Sequence, residues 1–451
     1  MDNNKFQEII NQLHANTVTE LNLNNKGVNT TQIITLAAVL IGNTSLTKLD
    51  LSDTRFTDNA ITTLAAALSK NTSLKILLLK LVGISDIGVT ALADALLKNN
   101  TLEKLSLSCD IYNNINEGVQ KLAKALETNI GLKKINLSQA KLNSDSVMAL
   151  SEALKINTTL KKLDLSSNNG LTDASVIAIA NALIINKGLN ILLLKSNRIT
   201  DTAFIALAQS LANNAHLHDL DITYNSIADK GMCALSNTLQ SNRALTKVTL
   251  HTNLIGDKGA IALAKSLQKN STLLHLDLGE NDLIERPGVE AFKLALDINC
   301  TLQSLEWTGG EYNSYYNTTP EIAGDLINDI NIKLKQNLIK NTKNMNNLVK
   351  LFGGLEEGPL ALIFKFLFDD FDVKRAEEFT RQPINHLRNK LALSTIVSNT
   401  NGSVTFLVKA RPPLLSFQAF REKMRFLKME QGLNNITCLQ EETNTNLSSS
   451  L

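Results

Sequence analysis

Ten asparagines recur along this chain: Asn43, Asn71, Asn99, Asn129, Asn157, Asn186, Asn214, Asn242, Asn270 and Asn299. Their successive spacings are 28, 28, 30, 28, 29, 28, 28, 28 and 29, and each stands three residues ahead of a leucine. Self-similarity at that period means one supersecondary unit stacked on itself. A module this short cannot bury both of its apolar faces alone, so its neighbours must supply the rest of the core.

The internal pattern says what the module contains. Leu21, Leu49, Leu77, Leu105, Ile135, Leu163, Leu192, Leu220, Val248, Leu276 and Leu305 form one column, and a second apolar residue follows each two positions later, from Leu23 to Trp307. Spacing of two puts both residues on one face of a strand. Nine to eleven residues after the first of these columns, a helix start is expected at Thr30, Asp58, Asp86, Asn116, Ser144, Asp173, Asp201, Asp229 and Asp257, with Arg286-Pro287 in the last unit. These residues suit the free N–H groups and positive end of a first turn. Apolar residues then run at helical spacing, as in Ile61, Leu64, Ala65 and Leu68. The asparagine three residues past the last of these leucines reads as a helix stop, since Asn tolerates the left-handed conformation that ends helices.

Strands stack about 4.8 Å apart and helices about 8–10 Å apart. A stack with strands on one side and helices on the other must therefore bend. The expected fold is an α/β solenoid, a horseshoe with parallel strands on the concave side and helices on the convex side.

The stretch LTKLDLSDTRFTDNAITTLAAALSKNTSL, residues 46–74, resembles the ribonuclease-inhibitor-like class of leucine-rich repeat. The resemblance covers about residues 18–307, as about ten units of 28–30 residues. It implies an asparagine after each strand whose amide bonds the turn backbone. Asn168, Asn197, Asn225, Asn253 and Asn281 occupy that place, whereas earlier units carry Lys26, Thr54, Val82, Asp110 and Ala140. The resemblance also implies a protein partner held on the concave face.

Residues 1–17 read as a capping helix with Phe6, Ile9, Ile10 and Leu13 on its apolar side. Residues 308–437 read as a mainly α-helical C-terminal domain, with a helix from Pro320 to about Asn341, a strongly apolar helix over Leu355–Val373, helix through Leu393 and a short strand within 400–409. Residues 438–451 read as a polar, disordered tail. The tail's Glu441-Glu442 pair, Ser/Thr-rich run and aliphatic end resemble the translocation signals of bacterial type IV secretion effectors, which implies delivery into a host cytosol.

The net charge of +2 gives no global field favouring nucleic acid or membrane. Cys109, Cys233, Cys300 and Cys438 are far apart and lack metal-ligand spacing, which fits a reduced, cytoplasmic setting. The start has no apolar signal region and no run is long enough for a transmembrane helix, so neither is expected.

No phosphate loop, H-E-x-x-H or nucleophile elbow occurs, so the chain reads as a non-enzyme without cofactor or metal. His216 and His218 flank a core leucine and read as surface histidines rather than metal ligands. Three further stretches invite functional readings. Pro359, Leu360, Ile363, Phe366 and Leu367 give residues 355–373 a likeness to an F-box, a helix that docks on a ubiquitin-ligase adaptor, though an ordinary core helix accounts for them too. Residues 409–430 are basic and amphipathic, suited to a weak membrane or partner contact or to a helix packed on its own domain. Unrecognised catalysis in 320–440 is the enzyme-class alternative.

The outward strand columns give the candidate partner site. Ile76, Leu78 and Leu81 in one unit, and Ile191 and Leu193 in another, put aliphatic side chains on an otherwise polar face. Lys104, Lys134 and Lys162 fall on adjacent strands, where like charges repel. Lys80, Lys195, Tyr224 and His251 complete the set of expected contact residues.

Overall fold

The computed structural model describes residues 1–54, 57–108, 114–306, 326 and 329–337, together with the backbone of 393–398, 404–409 and 436–441. The chain divides into two compact units, Met1–Ile332 and Lys333–Leu451.

In the first unit, eleven strands form one open parallel sheet in sequence order among the described residues. They are β1 (Glu20–Asn22), β2 (Lys48–Asp50), β3 (Ile76–Lys80), β4 (Lys104–Ser108), β5 (Lys134–Asn136), β6 (Lys162–Asp164), β7 (Ile191–Leu193), β8 (Asp219–Asp221), β9 (Lys247–Thr249), β10 (His275–Asp277) and β11 (Ser304–Glu306). The helices are α1 (Asn3–His14), α2 (Thr30–Leu40), α3 (Asp58–Leu68), α4 (Asp86–Leu96), α5 (Asn116–Leu126), α6 (Ser144–Ile156), α7 (Asp173–Ile185), α8 (Asp201–Leu211), α9 (Asp229–Ser241), α10 (Asp257–Leu267) and α11 (Arg286–Ile298). Each strand pairs with the next in the register the repeat requires, so Leu21, Leu49, Leu77, Leu105 and their successors form one continuous buried column. This is the leucine-rich repeat solenoid expected from the periodicity. Its narrower strand layer lies on the inside of the bend and its wider helix layer outside.

The asparagine column does more than stop helices, and it does not do so in the expected conformation. Asn157, Asn186, Asn242 and Asn299 take extended backbone angles, φ −72° and ψ 123° at Asn157, and no member of the column has positive φ. The side chains are buried and bridge successive units. Asn186 Nδ2 donates to Leu154 O at 2.6 Å and Asn157 O at 2.9 Å, while its Oδ1 accepts from the backbone N–H of Gly188 at 3.0 Å and Leu189 at 2.7 Å. The amide thereby satisfies free carbonyls at the end of the preceding helix and free N–H groups entering its own strand. The first rung, Asn43, reaches Leu13 O of α1 at 2.7 Å, so the N-terminal helix stands in for a missing unit. Phe6, Ile10 and Leu13 are its buried side.

The left-handed residues lie elsewhere. Asn25, Asp53, Leu81, Gln139, Ser167, Ser196, Tyr224, Thr252 and Glu280 all have φ between 51° and 58°, four positions after the first strand aliphatic. There the chain turns sharply off the sheet, and the hydrogen-bond ladder holds a conformation that costs a non-glycine residue about 1 kcal/mol.

The helix-start column also corrects the sequence reading. Those residues are the first of their helices, but several act on the next helix along. Asp201 Oδ1 accepts from Ala228 N at 2.8 Å and Gly231 N at 2.9 Å, Asp229 Oδ1 from Gly256 N and Gly259 N, and Asp257 Oδ1 from Glu285 N and Gly288 N. Ala228, Gly256 and Glu285 make no side-chain cap of their own, so the neighbouring unit supplies it. The approach requires glycine in the recipient, because a Cβ at Gly231, Gly259 or Gly288 would lie 2.7 Å from the capping oxygen.

After β11, residues 329–337 are helical, Leu326 and Ile330 are buried, and Lys293 Nζ meets Asp329 Oδ2 at 2.5 Å. Beyond residue 337 the described residues of the second unit are three strands, β12 (Leu393–Ser398), β13 (Val404–Lys409) and β14 (Ile436–Glu441), with β12–β13 antiparallel and β13–β14 parallel. β13 falls within 400–409, where a short strand was expected, and β12 begins at Leu393, where the expected helix ends; the reading of the tail needs correction, since β14 includes Cys438–Glu441 of the stretch read as disordered. LSTIVS and VTFLVK are rich in β-branched residues, which favour strands over helices. Residues 308–325, the F-box-like segment 355–373, most of the basic stretch 409–430 and the tail from 442 lie outside the described residues, as do Trp307, Cys109 and Asp110.

Candidate interaction surface

The outward side chains of the sheet form three columns held by strand register. In the first, Lys48, Ile76, Lys104, Lys134, Lys162, Ile191, Asp219, Lys247 and His275 follow one another across β2–β10. In the second, Asp50, Leu78, Ser106, Asn136, Asp164, Leu193, Asp221, Thr249 and Asp277 do the same. The third begins with Ser52, Lys80 and Ser108 and continues through Lys195, Thr223, His251 and Gly279.

The expected contact residues fall on this face and its rim. Ile76, Leu78, Ile191 and Leu193 are half-buried, while Leu81 and Tyr224 are 42% and 62% exposed on the left-handed turns. The structure does not merge them into one patch. The pair on β3 and the pair on β7 stand four strands apart, roughly 19 Å at ordinary strand spacing. Tyr224 N–H donates to His251 O at 2.8 Å, which joins those two residues in a second cluster with Lys195 nearby along the rim.

Charge is segregated along the face. Lys104, Lys134 and Lys162 are in direct register on β4, β5 and β6. Burial, then Lys134, Lys80, Lys162 and Lys48, pull the Lys104 ammonium below its ordinary pKa. Lys48 is answered by Glu20 at 2.9 Å, and its hydrogen bond with that carboxylate raises its pKa. From β8 onward acids dominate, with Asp219, Asp221, Asp277 and Glu306 against Lys247. His251 lies between Asp277 (Nδ1 to Oδ1, 3.5 Å) and Glu280 (Nε2 to Oε1, 3.7 Å). Gly279 makes room for it, since any side chain there would collide with the imidazole.

Two features escaped the sequence reading because alternation shows which way a side chain points, not how deeply neighbours cover it. Asp219 Oδ1 and Ser106 Oγ are buried without a hydrogen-bond partner among the described residues. Burial raises the Asp219 pKa, opposed by Lys247 beside it on β9. The pair His216 and His218 behaves as a rim feature: His218 Nδ1 lies 2.9 Å from Ala244 O, and burial followed by His218 lowers the His216 pKa. Among the described residues no cluster of three metal-ligating side chains occurs and no helix is long and apolar enough to cross a membrane.

A leucine-rich repeat family model matches residues 42–65, 157–180, 213–236 and 269–293. Solved structures similar to this chain include actin-binding site 2 of leiomodin-1 (16% identity, TM-score 0.34, covering 40% of this chain and 97% of that one). The tropomodulin C-terminal domain of Caenorhabditis elegans is also similar (12% identity, TM-score 0.32, covering 40% and 99%). A chain of the yeast Rad7–Elc1 complex is 14% identical with a TM-score of 0.38, covering 71% of this chain and 87% of that one. No curated protein matches. The matched repeats, the in-register parallel strands and the helix on every crossover together show a leucine-rich repeat solenoid.

Proposed function

We propose that this chain is a non-enzymatic protein-interaction module of the ribonuclease-inhibitor-like type, whose strand face receives a protein partner. The observation that carries the reading is the pair of aliphatic clusters on β3 and β7, held in fixed register on a face otherwise lined by polar and charged side chains. Exposed apolar groups rimmed by polar residues mark interaction sites. The helix in every crossover, at a period of 28–30 residues, supports the subclass. Delivery of the chain into a host cell is supported by the sequence of residues 438–451 alone, and a reporter fused upstream of that tail tests it.

The binding experiment is a pull-down with the full chain from extracts of candidate host cells. Leu78→Arg and Leu193→Arg are expected to remove a retained protein while leaving the thermal midpoint within a few degrees of the parent. Retention unchanged in both variants would place the partner contact elsewhere.

A further inference from the structure

We infer that the N-terminal half of the strand face takes a short acidic polypeptide segment carrying an aliphatic or aromatic anchor. The anchor seats against Ile76, Leu78 and Leu81, and carboxylates lie along Lys104, Lys134 and Lys162. The inference rests on the strand face being the binding surface and adds the chemistry of the ligand.

Neighbouring parallel strands lie about 4.8 Å apart, so the three lysines repeat at about that interval along a direction crossing the strands. Among the described residues no carboxylate forms an ion pair with them, although Asp219 feels the charge of Lys162. Lys48 has Glu20, whereas Lys104, Lys134 and Lys162 have no acidic group within 4.0 Å among the described residues. The nearest candidate on the same face, Asp164, is already engaged. Its Oδ1 accepts from Ser166 N at 3.0 Å and its Oδ2 from Asn136 Nδ2 at 3.0 Å. Lys133 and Glu103 pair with each other at 3.1 Å and leave the ladder unanswered. The base of the patch also holds a hydroxyl without a hydrogen-bond partner among the described residues: Ser106, 1% exposed, sits in register between Leu78 and Asn136.

Such an arrangement lowers the stability of the free chain and suits a ligand that brings the missing charge. Like charges directly opposite on neighbouring strands repel, and the depressed pKa of Lys104 shows that the repulsion and burial are felt. A carboxylate laid between two ladder lysines relieves both.

The same face argues against a long polyanion. Two strands beyond Lys162 the first column becomes Asp219, and the second carries Asp221 beside it. A nucleic acid tracking across the strands would run into these carboxylates. It would also leave Ile76, Leu78 and Leu81 without an apolar partner, on a stretch of the sheet where no aromatic ring lies among the described residues for a base to stack on. A segment that spans three or four strands and then ends meets neither objection.

The test measures binding of the full chain to fluorescein-labelled peptides of alternating glutamate and leucine, against alternating glutamine and leucine and a single-stranded DNA of equal charge. The glutamate peptide is expected to bind about tenfold more tightly than the glutamine peptide in 50 mM salt, with the preference shrinking severalfold in 200 mM salt. Lys104→Gln combined with Lys134→Gln should reduce the preference to less than about threefold, whereas Lys247→Gln should leave it intact. Lys104→Met supplies a readout independent of any peptide, because removing the most crowded ammonium should raise the thermal midpoint. Equal affinity for the two peptides, absence of binding, or tighter binding of the DNA that is lost in the same double variant would each overturn the inference. If Leu78→Arg still abolished capture of a host protein in those cases, the interaction surface itself would stand and only its acidic ligand would fall.

Discussion

The two halves of the repeat region share one set of inter-unit bonds and differ in another. On the helix side the asparagine ladder is uniform. Asn71 in the first half donates to Leu40 O at 2.7 Å and Asn43 O at 3.1 Å, and Asn242 in the second half donates to Leu211 O at 2.6 Å and Asn214 O at 3.1 Å. Where the strand turns off the sheet, the halves part. Asn168, Asn225, Asn253 and Asn281 each donate to three carbonyls, for example Leu194 O, Ile222 O and Thr223 O from Asn225. Asn225 also accepts from Asn197 N and Ile199 N of the unit before. In the first half the same position holds the buried Thr54, Val82 and Ala140. Thr54 bonds only its own unit, through Leu51 O, and the two apolar residues bond nothing through their side chains. The first half is thus joined at its turns by backbone bonds such as Asp53 N to Lys80 O and by packing, the second by the same bonds, packing and a second polar ladder. In a linear array, where stability is a sum of unit and interface terms, that difference should make the first half the one that opens first.

The largest effects should not distinguish the halves at all. Asn71→Ala and Asn242→Ala each remove two bonds to carbonyls and two from N–H groups, although Ser73 Oγ still reaches Asn43 O in the first, and each should cost about 3 kcal/mol or more. Urea unfolding of the two variants is the check. A much smaller loss for Asn71→Ala would mean that the helix-side ladder is also graded, and the contrast would extend to the whole unit.

Next in size is the turn position itself. Asn225→Ala should cost about 2 kcal/mol, because the amide serves both its own strand end and its neighbour's. The informative counterpart is Val82→Asn. The turn before it has the same left-handed residue as the turn before Asn225, with φ 53° at Leu81 and 56° at Tyr224. A grafted amide should therefore find the carbonyls of Leu79 and Leu51 and cost less than about 1 kcal/mol, where an unbonded buried amide would cost about 2 or more. A large loss for Val82→Asn would show that the first half differs in backbone and not merely in side chain. Hydrogen exchange gives the same comparison without mutation: turn amides around 81–84 should exchange faster than those around 224–227.

These contrasts mark what the sequence could and could not show. The period, the strand columns and the first residue of every helix were legible, because each depends on local pattern. The departure at Lys26, Thr54, Val82 and Ala140 was legible too. The role of the ten asparagines was not, since helix-stop and inter-unit bridge demand the same residue at the same place, and only the bonds of Asn186 to Leu154 and Asn157 separate them. The capping aspartates were assigned to the wrong helix for a related reason: Asp229 can serve its own first turn or, through Gly256 and Gly259, the next one. Of the candidate surface, the sequence supplied every outward column but not the burial of Ser106 and Asp219, which depends on side chains from flanking strands.

Smaller still is the effect of closing the gap that those capping bonds need. Gly259→Ala would place a methyl 2.7 Å from Asp229 Oδ1 and 2.9 Å from Met232 Cβ, and should cost about 1–2 kcal/mol by displacing the cap. Gly42, at the end of the first repeat helix, has nothing within 4 Å of an added Cβ, so Gly42→Ala should be neutral or stabilising by up to about 1 kcal/mol. Thermal melts of the pair decide whether the close contact, which Gly88 also makes with Asp58 Oδ1 in the first half, sets the cost rather than glycine itself.

The smallest expected effect concerns the acidic end of the face, and its sign follows from Asp219. Its carboxyl has a pKa raised first by burial and then by Asp221, with Lys247 pulling the other way. The folded chain therefore keeps this proton to a higher pH than the unfolded chain does. Between the ordinary carboxylate value of about 3.9 and the raised one, stability falls as pH rises, and above that window the ionised group remains a constant cost. Asp219→Asn removes the cost. Its urea midpoint should exceed the parent's at pH 7, by less than about 1 kcal/mol because solvent still reaches part of the side chain, and the advantage should shrink as pH is lowered toward 4. The lysine end behaves oppositely: the Lys104 ammonium, with its depressed pKa, destabilises the fold at neutral pH, and that cost begins to ease only once pH rises through its lowered value and is gone above the ordinary one. Lys104→Met should consequently keep its advantage from pH 7 down to 4, over the range in which that of Asp219→Asn fades. If both advantages faded together, the two ends of the face would be titrating through a shared group, and the charge segregation along the sheet would not be the source of either.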